Sequence, residues 1–154
     1  MMVTEFQINV LTAGKSQAEV WNLQADDECN LELVSTNGSR WSANGNDMFD
    51  ALKDLRLQIE PLGHLLLCNG ARIDAHPSGM SRDMSGGQTL YILEKKGVAR
   101  KRIFIFDHAN STDVGTVAEQ WEFYQAWLST PRRQRISDLA RSAALDLWIR
   151  LRDR

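Results

Sequence analysis

The stretch LLLCNGARIDAHPSGMSRDMSGGQTLYIL, residues 65–93, decides how the chain is read. An apolar run opens into a long connection dense in Arg, Asp, His, Ser, Met and Gly, then closes into a second apolar run. Apolar runs bounded by turn residues read as strands, and binding groups concentrate on the connections that strands hold in place. The three consecutive Leu after His64 predict a strand covered on both faces and central in its sheet. Pro77 to Ser85 predicts a short helix, entered at Ser78-Gly79 and broken by Gly86-Gly87, with Met80 and Met84 one turn apart and turned inward.

Upstream, Phe6, Ile8 and Val10 alternate with polar positions as one face of a half-buried strand. Thr12 to Gln17 turns into a second strand carrying Val20, Trp21 and Leu23, and Leu31, Leu33 and Ser35 mark a third. Asn37-Gly38 reads as a tight turn because both residues tolerate positive φ, and Trp41 follows on a short fourth strand. A helix is predicted from Asn46 or Asp47, either of which can cap open backbone amides, to Pro61 and Gly63. Met48, Leu52, Leu55 and Ile59 share one of its faces, and Asp50, Lys53, Asp54 and Arg56 lie off that stripe.

Downstream, Leu90–Leu93 and Arg102–Phe106 read as a hairpin turning through Lys95 to Lys101. Thr116 and Glu119 make a capping box, in which each side chain satisfies the other's backbone amide. The helix it opens places Val117, Trp121, Tyr124 and Leu128 on one face. Thr130-Pro131 opens a last helix with an apolar stripe from Ile136 to Leu151. The expected fold is α+β: a mostly antiparallel sheet of six to seven strands, one inserted helix at 47–60 and a C-terminal helical pair. It forms a single domain over 1–154, with residues 131–154 as a C-terminal amphipathic helix.

A chain of 154 residues is long enough to bury a real core. Its net charge of -2 carries no global bias toward nucleic acid. That charge is uneven, at -6 over residues 1–60, zero over 61–130 and +4 over 131–154. Such polarity steers a charged partner or pairs the chain's own ends. Cys29 and Cys68 make no disulfide framework and fit no Cys/His zinc spacing; Cys68, in an apolar run, reads as a buried thiol. The opening MMVTEFQINVLTAG lacks the basic-then-apolar build of a secretory signal, and a cytoplasmic, reducing setting is expected. No membrane span is expected, since no apolar run approaches the ~20 residues required.

Gly14-Lys15-Ser16 invites a phosphate-loop reading but fails it. Asn9 stands where the motif needs glycine, and a strand follows where it needs a helix. His64, His76 and His108 are isolated from one another, and no carboxylate or thiolate cluster closes a metal set around them. Asp107 beside His108 has the right chemistry for an oriented base, yet strand neighbours point to opposite faces. Ser78, Ser81 and Ser85 sit in no nucleophile elbow. Cys68 and His64 are roughly 13 Å apart along one strand, too far for a hydrogen bond. No catalytic residue, metal or cofactor is therefore assigned.

Arg72, Asp74, His76, Arg82 and Asp83 remain as candidate partner-binding residues. A patch of both signs suits a protein partner, where complementary charges set register; the other reading is an internal Arg–Asp network that pins the loop. Lys95, Lys96, Arg100, Lys101 and Arg102 could grip a phosphate backbone from a hairpin tip, or simply keep sheet edges from pairing.

The segment LLCNGARIDAHPSGMSRDMSGGQTLYIL, with DVGTVAEQWEFYQAWL after it, resembles small uncharacterised bacterial proteins over Leu66 to Leu128. That resemblance implies no activity and no site residues. More loosely, the chain is similar in type to the immunity proteins that protect bacteria from contact-delivered toxins. This implies a small cytoplasmic α+β protein, not an enzyme, that occludes a toxin's surface. Two other expectations stand beside it: a small enzyme or ligand-binding domain with a pocket around Cys68, Arg72, Asp74, His76 and His108, and a nucleic-acid binder through the 95–102 hairpin.

Overall fold

A computed structural model describes residues 2–94 and 99–130. The chain begins as an antiparallel meander: β1 (Val3–Thr12), β2 (Glu19–Asp26), β3 (Asn30–Val34) and β4 (Arg40–Asn44). Its inward face is the alternating set expected, with Ile8, Val10, Trp21, Leu23, Leu31 and Leu33 buried. Val20 instead points outward, because on β2 it is out of phase with Trp21 and Leu23. Gly38 takes φ +88° in the β3–β4 turn, a conformation an L side chain resists.

Helix α1 (Met48–Ile59) starts on Asp47, whose side chain accepts from the Asp50 amide at 2.8 Å. It ends in a 3₁₀ turn over Glu60–Leu62, closed by Gly63 at φ +89°. Met48, Leu52, Leu55 and Ile59 are buried against the sheet, as the spacing predicts. Each such burial contributes roughly 1.5–3 kcal/mol. Arg56, expected off the stripe, is buried too, at 1% exposure.

The large sheet has the order β4-β3-β2-β1-β5, with β5 at His64–Leu66. The triple-Leu strand is therefore an edge strand and not the central one expected. Its continuation is nevertheless covered, because residues 105–109 cross it. Ala109 N donates to Leu67 O at 3.1 Å, Asn69 N to Asp107 O at 2.9 Å, and Cys68 forms a bridge with His108. A crossing segment produces the same apolar run as a central position, which is why the two read alike.

A second antiparallel sheet follows, ordered β6-β7-β8, with β6 at Ala75–His76, β7 at Thr89–Leu93 and β8 at Ala99–Phe104. Among the described residues, the single sheet of six to seven strands is thus replaced by two sheets of five and three strands. The last strand starts and stops earlier than Arg102–Phe106, with a register shift at Ile92/Leu93. Between β6 and β7 lies α2 (Gly79–Ser85), a second inserted helix, capped by Ser78 at its start and by left-handed Gly86 at its end.

Helix α3 (Val117–Leu128) carries the full capping box of Thr116 and Glu119. Its inward face is rotated from the one expected: Gln120 is its buried residue, and Trp121 is 57% exposed. One buried cluster joins both sheets, running from Ile8 and Leu23 through Leu52 and Leu66 to Leu90, Ile105 and Val114. The last helix of the expected C-terminal pair, at 131–154, and most of the Lys95–Lys101 turn lie outside the described residues. Among the described residues, no helix is long and apolar enough to cross a membrane.

Candidate functional site

Gly70 and Arg56 organise the ground beneath the polar connection. A Cβ on Gly70 would fall 2.2 Å from Leu52 Cδ2 and 2.7 Å from Ile105 Cγ1, so only glycine lets this loop lie on α1 and β8's continuation. The carbonyl so placed accepts from Arg56 Nη1 at 3.1 Å. The same nitrogen donates to Gln120 Oε1 at 2.6 Å, and Nη2 donates to Gly115 O at 2.9 Å. Arg56 Nε lies 3.3 Å from Glu60 Oε1 without hydrogen-bond geometry. Glu60 also accepts from the Val117 amide at the start of α3. Gln120 Nε2 faces the carbonyls of Gly70, Arg72 and Ala75 at 3.0, 2.7 and 3.2 Å. One guanidinium and one amide thereby fix α3 to the loop.

Most of the loop's charges are engaged within the chain. Arg72 holds Asp74 through two parallel bonds, Nε to Oδ1 at 2.8 Å and Nη2 to Oδ2 at 3.0 Å, with Asp113 at 3.6 Å. Its own pKa is raised by these partners, the Asp74 bond foremost. Arg82 Nη1 donates to Asp47 Oδ2 at 2.5 Å and lies over the Phe49 ring, straps that tie α2 to the start of α1. Met48 N adds a bond to Gly86 O at 2.7 Å. Asp83 is exposed and in no ion pair among the described residues.

His76 stacks face to face on Tyr124, centroids 3.6 Å apart, with Phe49 edge-on at 5.3 Å. Its Nδ1 lies 2.8 Å from Pro77 O, and a carbonyl only accepts, so Nδ1 carries the proton and Nε2 is the free acceptor. Burial drives its pKa down to about 4, against the pull of the Pro77 carbonyl, so the ring is neutral at neutral pH. Between α1, α2 and α3 this leaves a small cleft of about 60 Å³. Phe49 and Lys53 form one wall, His76 and Arg82 a second, Gln120 and Trp121 a third.

Of the five residues expected around a ligand pocket, only His76 lines this cleft. Arg72 and Asp74 meet each other beside Asp113. Cys68 is fully buried, and that burial pushes its thiol up to about 11. His108 is exposed, and its Nδ1 takes the Asn9 amide at 3.2 Å. Cys68 and His108 are paired through their backbones, one side chain inside and the other out. No group of three His, Cys, Asp or Glu side chains among the described residues could hold a metal ion.

Met80 and Met84, expected in the core, are 70% and 81% exposed. The ties of Arg82 to Asp47 and Phe49 and of Gly86 to Met48 explain the reversal, since they dock α2 with Ser81 inward. Ser78 accepts from Ser81 N, and Ser81 and Ser85 hydrogen-bond back along the helix on the covered side. This docking turns the methionines and Asp83 to the opposite face. Sequence reasoning missed Phe49, Lys53, Gln120 and Trp121 as site residues. The available signal was a stripe at 117, 120 and 124, hidden because Gln120 reads as a surface residue until its carbonyl partners are known.

Compared with known proteins, the chain matches no family model and no curated sequence.

Proposed function

We propose that this chain is a stoichiometric protein-binding protein that presents Trp121 at the cleft between α1, α2 and α3, together with the outer face of α2 that carries Met80 and Met84, to a protein partner. The observation that carries this reading is the division of labour on the loop. Arg72, Asp74 and Arg82 anchor the loop internally, and the groups left outward are two methionines, an indole and the Asp83 carboxylate. Methionine adapts to irregular apolar surfaces, and Trp beside a small pocket is among the residue types that dominate binding energy. A cleft of about 60 Å³ takes one protruding side chain. Binding would cover roughly 800 Å² on each partner. With the resemblance in type to immunity proteins, the reading favoured is a bacterial inhibitor that neutralises a cytoplasmic toxin by covering its surface.

The test is capture from native lysate of the source cell with the full chain, across several salt concentrations, beside the variant Met80→Asp/Met84→Asp/Trp121→Ala. The expected result is one stoichiometric protein retained by the parent and lost by the variant at equal melting temperature. Equal retention by both proteins, or none by the parent, overturns the proposal.

A further inference from the structure

A second cavity, of about 350 Å³, opens where the β1–β2 turn, the β3–β4 turn and the segment after α1 meet. That volume is in the range of small-molecule sites. Its aromatic wall is built across the large sheet. Trp21 of β2 and Trp41 of β4 stack at 5.5 Å with only 7° between their planes, and His64 of β5 stands edge-on to both at 4.8 and 5.9 Å. Both indoles line the cavity, Trp21 at 3% exposure and Trp41 half-buried.

The facing wall is polar and internally balanced. Glu19 Oε1 accepts from Lys15 Nζ at 2.6 Å, and Oε2 accepts from Trp21 Nε1 at 3.0 Å and Thr36 Oγ1 at 2.9 Å. Asn37 Oδ1 accepts from Ser35 Oγ and from the Ser39 amide, and its Nδ2 is in no hydrogen bond among the described residues. His64 Nδ1 meets Thr12 Oγ1 at 3.0 Å, which leaves Nε2 for something else.

These facts select a ligand class. A cation meets a carboxylate already neutralised by Lys15, and an anion meets that same lysine already paired with Glu19. Two N–H groups of Lys15 and a lone pair on Glu19 Oε1 still stand open to neutral hydroxyls. A neutral ligand with a C–H face for Trp41 and several hydroxyls for the rim satisfies every group. A hydroxyl both donates and accepts, so it matches Asn37 Nδ2, Lys15 and Glu19 together, and it suits either tautomer of His64.

We infer that the Trp21–Trp41–His64 cavity is a binding subsite for a neutral saccharide, one pyranose ring lying on Trp41 and its hydroxyls meeting Lys15, Glu19 and Asn37. It stands apart from the α1–α2–α3 cleft and does not depend on it. The experiment is a titration of the full chain with disaccharides of glucose, galactose, mannose and N-acetylglucosamine, read by tryptophan fluorescence and saturation-transfer NMR. At least one saturates at millimolar concentration, and Trp41→Leu weakens it roughly tenfold. Asn37→Asp keeps the turn's acceptor and exchanges the free donor for a charged acceptor, so it weakens binding without unfolding and keeps the test readable if Trp41→Leu fails to fold. Absence of binding for all four sugars, unchanged affinity in Asn37→Asp, or binding of tetramethylammonium or inorganic phosphate in place of sugar overturns the inference.

Discussion

Replacing Arg56 by Met removes hydrogen bonds to Gly70 O, Gln120 Oε1 and Gly115 O and strands Glu60 beside a thioether. A loss of about 3–5 kcal/mol is expected in urea unfolding. Arg56→Lys restores little of it, since one ammonium cannot reach acceptors on three segments. Gly70→Ala is expected to cost about 1–3 kcal/mol by the same measurement, because Leu52 and Ile105 must give way. Neither residue announced itself in the sequence. Arg56 lies on the flank of an apolar stripe, where arginines are normally solvated, and only acceptors supplied by Gly70, Gly115 and Gln120 make its burial tolerable. The apolar members of the same helix were legible because their placement depends on local periodicity alone.

Helix α2 is too short to persist by itself, and its position rests on the Ser78 cap, the Arg82–Asp47 pair and the Met48–Gly86 bond. Arg82→Ala leaves the buried Asp47 carboxylate without its cation and is expected to lower stability by about 1–3 kcal/mol. Asp83→Ala, one residue on, is expected to leave the melting temperature unchanged. Such a contrast assigns Arg82 to the lock and frees Asp83 for a partner. Elements defined by their own ends were readable in advance: the Asp47 cap, the Thr116–Glu119 box, and the Asn37-Gly38 turn. Orientation was not. The face of α3 is set by Gln120 reaching carbonyls distant in sequence, that of α2 by the ties of Arg82 to Asp47 and of Gly86 to Met48, and the edge position of β5 is set by residues that follow nearly forty positions later.

For the molecule as a whole, His76 makes stability depend on pH. Its folded pKa of about 4 lies below the ordinary 6.5, so the unfolded chain takes up the proton first. Stability is therefore full above pH 6.5 and declines as pH falls toward 4. Urea midpoints measured from neutral pH downward are expected to show this decline, and His76→Phe to flatten it; His64, whose pKa burial also lowers, contributes in the same direction and remains in the variant. Thiol labelling reports on the same global equilibrium. Half-buried Cys29 is expected to react in the folded protein, and fully buried Cys68 only in proportion to the unfolded population. The stitch between residues 67–69 and 107–109 has a further consequence, for biosynthesis. A ribosome releases β1 to β5 well before their cover, so the nascent sheet carries a bare edge while α2, β7 and β8 are still being made. During that interval the backbone around Leu67 to Asn69 is a template for any passing strand. Aggregation yield is then governed by translation speed and chaperone supply, quantities on which the equilibrium stability of the finished protein has no bearing.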